Sequence, residues 1–335
     1  MTQMRPGYNP ERMVRLIREA IARCRLDLTG KVVLTEAATG AYAVTPVIAA
    51  LAGAAKVYAV GKSSPYGSRT RVISETMALA GAGGISDQIR LVSRLAPQML
   101  AEADIVTNSG HLRPLDARKI GFMKPAAVIP LMYEAWEFRP ADVDLAACRR
   151  KGIRVVATNE QHPKIDVFGY LGVLAFKQLV DAGISVYKSR ILLLSDNDFA
   201  PYIRNALRRV GAEVQVGENI EKKKESKAYD AILLALKPRN AFNLTAQDIQ
   251  RLARLYPGTI LVQFFGDVDR SACRKDGVNV WPVEEPRPGH MGILPSDIGP
   301  EATIRLQAGG FKAAESAGCH DCQSMRNYTQ ELSSR

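Results

Sequence analysis

The sequence predicts an α/β protein of two doubly wound, parallel-sheet (Rossmann-like) domains joined by a long helix. Short apolar runs alternate with helical patterns along most of the chain. The alternation pauses at one long apolar helix and then restarts. The length of 335 residues, with 47% hydrophobic and 24% charged residues, suits two ordinary globular domains at roughly 100–200 residues each.

Residues 10–27 place Met13, Leu16, Ile17, Ala20, Ile21 and Cys24 at helical spacing behind an arginine-rich outer face, which reads as solvated surface. Strands are expected at 31–35, 56–60, 89–92, 104–107, 127–131 and 153–157, with helices at 44–54 and 70–80 separating the first three. Strands alternating with helices imply parallel pairing through right-handed crossovers. Residues 168–183 form the long apolar helix, carried by Phe168, Leu171, Leu174, Ala175 and Leu179 and ended by Gly183. Further strands are expected at 190–194, 213–216, 229–235, 259–265 and 277–282, with a helix at 201–210 and a closing helix at 302–315. The expected domains are 1–166, holding the cofactor, a linker helix over 167–183, and 184–318 including the closing helix. Residues 319–335 read as a loose, dispensable tail, and the charged stretch 221–227 as a solvated loop.

Lys plus Arg exceed Asp plus Glu by 45 − 34, a net charge of +11, which favours anionic ligands. No apolar run approaches the ~20 residues that span a bilayer, and the first residues lack a signal peptide's apolar stretch. Five scattered cysteines make no disulfide scaffold, so a cytoplasmic protein is expected. Cys319 and Cys322 have C-x-x-C spacing but too few companions for a closed zinc site, and no metal is expected. The expected partner is a small-molecule substrate, with a homodimer as the assembly to consider and neither specific nucleic acid nor membrane.

Ligands of open α/β sheets bind at the carboxyl ends of the strands, so the loops there are the places to search. After the first strand, Thr39, Gly40 and Ala41 open a helix whose free amides suit a phosphate, although Gly40 is the only glycine and no G-x-G-x-x-G is present. After the second, Lys62, Ser63, Ser64 and Arg69 stand where an NAD site usually offers an acid, which points to NADP over NAD. The matching turn of the second half carries Asp196 and Asp198, which would repel a pyrophosphate and read as helix caps. His111, His162 and His290 each follow a predicted strand, and Glu160 precedes His162 by two residues, a pairing suited to proton transfer. The segment 131–139 concentrates Tyr133, Glu134, Trp136, Glu137 and Arg139. There Trp136 can stack on a ring, and Arg113 or Arg139 can hold a carboxylate.

Residues 152–159 (Gly-Ile-Arg-Val-Val-Ala-Thr-Asn), leading into the apolar helix after Asp166, resemble the strand–helix linker of the formate/glycerate (D-2-hydroxyacid) dehydrogenases. Residues 286–290 (Pro-Arg-Pro-Gly-His), before the closing helix, are similar to that family's late Pro-His motif. The resemblance is distant and covers about residues 152–315. It implies a two-domain NAD(P)-dependent oxidoreductase with a small, anionic substrate in an interdomain cleft, and His290 as its acid–base histidine. His111, His162 and Glu160 are the rivals for that role, and Arg113, Tyr133, Trp136 and Arg139 the candidate substrate ligands. A transferase using a nucleotide-activated donor, or a non-catalytic nucleotide-binding protein, is the alternative.

Overall fold

A computed structural model describes residues 5–220, 228–239, 241–318, 327–330 and 332. The chain forms two compact units, Met1–Val167 with Gly299–Arg335, and Phe168–Ile298. Cys319, Cys322 and the charged stretch 221–227 lie outside the described residues.

The first unit opens with α1 (Pro10–Cys24), capped by Asn9, whose side chain accepts from the Glu11 and Arg12 amides. There follow β1 (Val32–Ala37), α2 (Val44–Leu51), β2 (Lys56–Gly61), α3 (Arg69–Gly83) and β3 (Ile89–Val92). The chain then runs through α4 (Pro97–Glu102), β4 (Ile105–Val106), α5 (Ala117–Phe122), β5 (Val128–Pro130), α6 (Leu145–Lys151) and β6 (Arg154–Thr158). Asp116 and Asp144 cap α5 and α6 by accepting the Lys119 and Ala147 amides. These strands pair in parallel in the order β6-β5-β4-β1-β2-β3. Read from the other edge this is 3-2-1-4-5-6, the arrangement of dinucleotide-binding sheets. Its direction of winding reverses beside β1, between β1 and β4.

The second unit begins with α7 (Leu171–Asp181), then β7 (Arg190–Leu194), α8 (Phe199–Arg209), β8 (Glu213–Gly217) and β9 (Ala231–Ala235). It ends with α9 (Ala246–Leu255), β10 (Ile260–Phe265), α10 (Arg270–Lys275) and β11 (Val280–Trp281). Its sheet has the order β11-β10-β9-β7-β8, all parallel. Counted within the unit from the β8 edge it is 2-1-3-4-5, the flavodoxin-like order. Every residue of β9 is buried, as expected of a central parallel strand covered on both faces. The α/β class with two doubly wound sheets is therefore the one expected. The long apolar helix, by contrast, is not a free-standing linker: after a 3₁₀ turn over Phe168–Tyr170, α7 packs on α8 as part of the second unit.

Two assignments at the C-terminal end need correction. The closing helix, α11 (Glu301–Gly318), belongs to the first unit rather than the second. Its buried face, with Ile304, Ala308, Phe311 and Ala314, joins the core built by α1, α2 and the first sheet, where chain order alone would not place it. Gly309 makes the close approach possible, because a Cβ there would stand 2.8 Å from the Ile165 side chain. Within the supposed loose tail, β12 (Thr329–Gln330) adds an antiparallel strand to β6. Tyr328 accepts the Asn159 amide through its carbonyl, and its ring lies 3.9 Å from His162. An exposed strand edge offers unpaired backbone groups, and this segment covers them.

Two glycines with different surroundings test this packing. Gly309→Val should overpack the seat of α11 and cost about 1–3 kcal/mol. Gly81→Ala, in α3 with nothing within 4 Å of the new methyl, should instead gain up to about 1 kcal/mol. Denaturant titration of both variants against the parent reads the two signs.

Candidate functional site

The loops after β1 and β2 lie side by side because Ala37 pairs with Gly61 at the ends of the strands. Thr39 Oγ1 donates to the Tyr66 carbonyl at 3.2 Å, and a Cβ on Gly67 would meet the Thr39 methyl at 2.8 Å. The structure thus brings together the residues that the sequence groups for the cofactor. Gly40 has φ +63° and open space where a side chain would begin. Its amide donates to Glu75 Oε2 at 2.6 Å, and Arg71 Nε grips Oε1 of the same carboxylate at 2.6 Å. Ala41 is buried. Ser63 Oγ accepts the Arg69 amide at 3.0 Å, Ser64 bridges to Gly67, and Lys62 and Arg69 are exposed. Glu75 is absent from the expected site. Only its place one turn along α3 brings it back to Gly40.

A second cluster forms at the carboxyl ends of β5 and β6, where three carboxylates meet. Glu134 is 2% exposed and accepts from Trp136 Nε1 at 2.6 Å and from Gln330 Nε2 at 3.1 Å. Glu134 and Glu137 form a reciprocal capping box around a short 3₁₀ turn. Glu160, 8% exposed, follows β6. Burial, then the charges of Glu137 and Glu134, hold the Glu160 carboxyl well above the usual carboxylate range. Burial pushes Glu137 up to about 7, with Glu134 adding repulsion. Tyr42, two residues past Gly40, is pushed up to about 12 by burial and by Glu36, Glu160 and Glu137. It links the two clusters. Glu36, at the end of β1, accepts the His111 amide at 3.0 Å and so ties the loop after β4 to the same place.

Arg113 and Tyr133 are largely occupied with each other's surroundings. Arg113 donates to the Asn108 side chain at 2.9 Å and to its carbonyl at 2.8 Å, and stands 3.4 Å from Asp142. Asn108, fully buried, donates to the Tyr133 hydroxyl at 2.9 Å, which donates to Asp142 at 3.2 Å. This network braces the loops after β4 and β5. Arg139 is exposed, and its charge lowers the Glu137 carboxyl. Trp136 walls a cavity of about 800 Å³ with Phe138, Val143, Leu145, Leu332 and Arg149. His162 accepts the Lys164 amide at Nδ1 and packs on Tyr328, contacts that brace the strand edge. His290 belongs to the second unit, where its Nδ1 lies 3.1 Å from the Pro288 carbonyl and Asp267 accepts the neighbouring Gly289 amide. Asp196 in the turn after β7 accepts the Lys237 amide at 2.9 Å, closing that turn onto the loop after β9. Among the described residues no group of three His, Cys, Asp or Glu is placed to hold a metal ion, and no helix is long and apolar enough to cross a membrane.

No family model and no curated protein matches the sequence. Solved structures do match in fold. A dipicolinate synthase chain from Bacillus halodurans aligns with a TM-score of 0.56 at 12% identity, over 84% of this chain and 96% of its own. Its counterpart from Bacillus subtilis gives 0.56 at 12% identity, over 85% and 95%. The pyruvate reductase of Chlamydomonas reinhardtii gives 0.51 at 13% identity, over 87% and 97%. At such identities the likeness is one of fold.

The carboxyl cluster makes a prediction about stability. The folded protein keeps protons on Glu137 and Glu160 that the unfolded chain releases near 4.5. The contribution of Glu137 is therefore fully present below pH 4.5 and is lost as pH rises through about 7, and that of Glu160 is lost in the same sense, as pH rises through its own raised value. Glu160→Gln should gain in unfolding temperature over the parent as pH rises above neutral, by roughly 2–4 °C per kcal/mol relieved, and show little difference at pH 4.5. Thermal melts of both proteins across pH 4–9 check the divergence.

Proposed function

We propose that the protein is an NAD(P)-dependent oxidoreductase that binds its dinucleotide at the carboxyl ends of β1 and β2 and acts on a small, anionic substrate. The strand order of the first unit carries this reading, since ligands of such sheets lie where the winding reverses. Gly40 offers a left-handed turn with open space beside it, and its amide holds a carboxylate, so the position is one that accepts an anion. Lys62, Ser63 and Ser64 follow β2 in place of an acid, which favours the 2′-phosphate of NADP. When bound, the nicotinamide supplies hydride exchange with the substrate.

The chain's own part is to place the substrate and move a proton. Glu160 is the proposed acid–base group, because a carboxyl whose hold on its proton is strengthened by burial and by neighbouring carboxylates can donate one. Trp136 joins this cluster to the adjoining cavity, where its indole offers an aromatic wall and Arg149 a cation for an anionic group. A pyruvate reductase among the fold neighbours accords with reduction of a small carboxylate.

Two measurements test the reading. Replacing Lys62 and Arg69 by Ala should weaken NADP about tenfold or more while NAD changes by less than about threefold. Equal losses for both dinucleotides would remove the NADP assignment. Glu160→Gln should lower kcat by ~10²–10⁴ with dinucleotide affinity kept. If His290→Asn produces that loss and Glu160→Gln does not, the proton belongs to His290.

A further inference from the structure

The charges around Gly40 present a conflict. The loops after β1 and β2 bring a left-handed glycine amide, hydroxyls and exposed cations to one place, yet the amide is taken by a carboxylate of the chain itself. Glu75 reaches Gly40 from the second turn of α3, and its side chain is only 18% exposed. Arg71, one helical turn earlier, holds the other oxygen in an i,i+4 ion pair. The two bonds fix the carboxylate at the Gly40 amide, in a turn that lies beside the loop after β2, whose Lys62 is exposed. A carboxylate oxygen and a phosphoryl oxygen ask the same thing of a backbone amide, a short N–H bond and a nearby cation. They cannot both have it, and two anions at that separation repel.

We propose that Glu75 is a built-in competitor for the phosphate position. A phosphorylated ligand, the dinucleotide in the reading above, binds only by displacing Glu75 from the Gly40 amide. Arg71, released from one oxygen of Glu75, is then free to turn to the incoming phosphate. This rests on the placement of the phosphates at the Gly40 turn. The device costs affinity and gives selectivity. A ligand with one weakly charged group does not displace an ion-paired carboxylate, whereas a multiply charged pyrophosphate does.

Titration calorimetry on the full chain, with NADP and inorganic pyrophosphate as separate probes, tests the proposal. Glu75→Gln removes the charge while keeping an oxygen that can accept the Gly40 amide, and Glu75→Ala removes both. Each should bind both probes about tenfold tighter than the parent, with unfolding temperature recorded to confirm folding. A variant that binds NADP equally well or more weakly overturns the competition, and weaker binding would make Glu75 a ligand contact instead. If pyrophosphate tightens on the variants and no form binds a dinucleotide, the competition stands and the dinucleotide reading falls. If the parent binds NADP and the variants gain nothing, the dinucleotide reading stands and the competition falls. Binding of neither probe by any folded form overturns both.

Discussion

A parallel sheet covered on both faces leaves its backbone satisfied and its apolar side chains buried everywhere except at the strand ends. In the first unit β1 lies in the interior of the sheet with β4 and β2 as partners, and the chain leaves it in opposite directions on its two sides. That reversal keeps the crossover connections from closing over the carboxyl end of β1, and polar groups collect there because they have no other place in the layer. Thr39, Gly40, Glu36, His111 and Asn108 all sit on loops or strand ends that this geometry forces together. The order of strands, more than any single motif, decides where chemistry can occur.

The residues gathered there divide by how fully their bonds are satisfied. Asn108, Arg113, Tyr133 and Asp142 form a closed set in which each polar group answers another, and such a set holds loops still. The Glu134, Glu137 and Glu160 cluster is different. Indole and amide donors neutralise part of it, and the remaining repulsion is relieved by keeping protons. A buried carboxyl held in its neutral form is unfavourable for folding above neutral pH and useful for proton transfer, so the two requirements oppose each other at one position.

The C-terminal segment is built into this arrangement. The α11 helix completes the core of the first unit with Ile304, Ala308, Phe311 and Ala314, and β12 seals the β6 edge while delivering Gln330 to both Glu134 and the Ala135 amide. Residues 196 positions apart in sequence therefore set the charge environment of one carboxylate.

Strand and helix positions are legible in the sequence because each depends on local periodicity. Expected strands at 89–92 and 190–194 coincide with those observed, and most other boundaries fall within a few residues. The pairing of the Gly40 turn with the Lys62 loop is legible too, since consecutive parallel strands place their following loops together. What the sequence does not disclose are relations that need the chain to return. Nothing in residues 301–318 says which sheet they cover, and chain order alone assigns the closing helix to the wrong unit. The spacing of Glu75 from Gly40 carries no signal, because a helix and a turn between them decide the contact. The sequence singles out Glu160 and, separately, the segment holding Glu134 and Glu137, but nothing in it says that the three carboxylates meet. By itself the sequence determined the alternation of strands and helices, and with it the two doubly wound sheets and the loops where ligands can bind. Tertiary structure decided which charges meet, because burial and electrostatic coupling depend on distances through space that local periodicity does not encode.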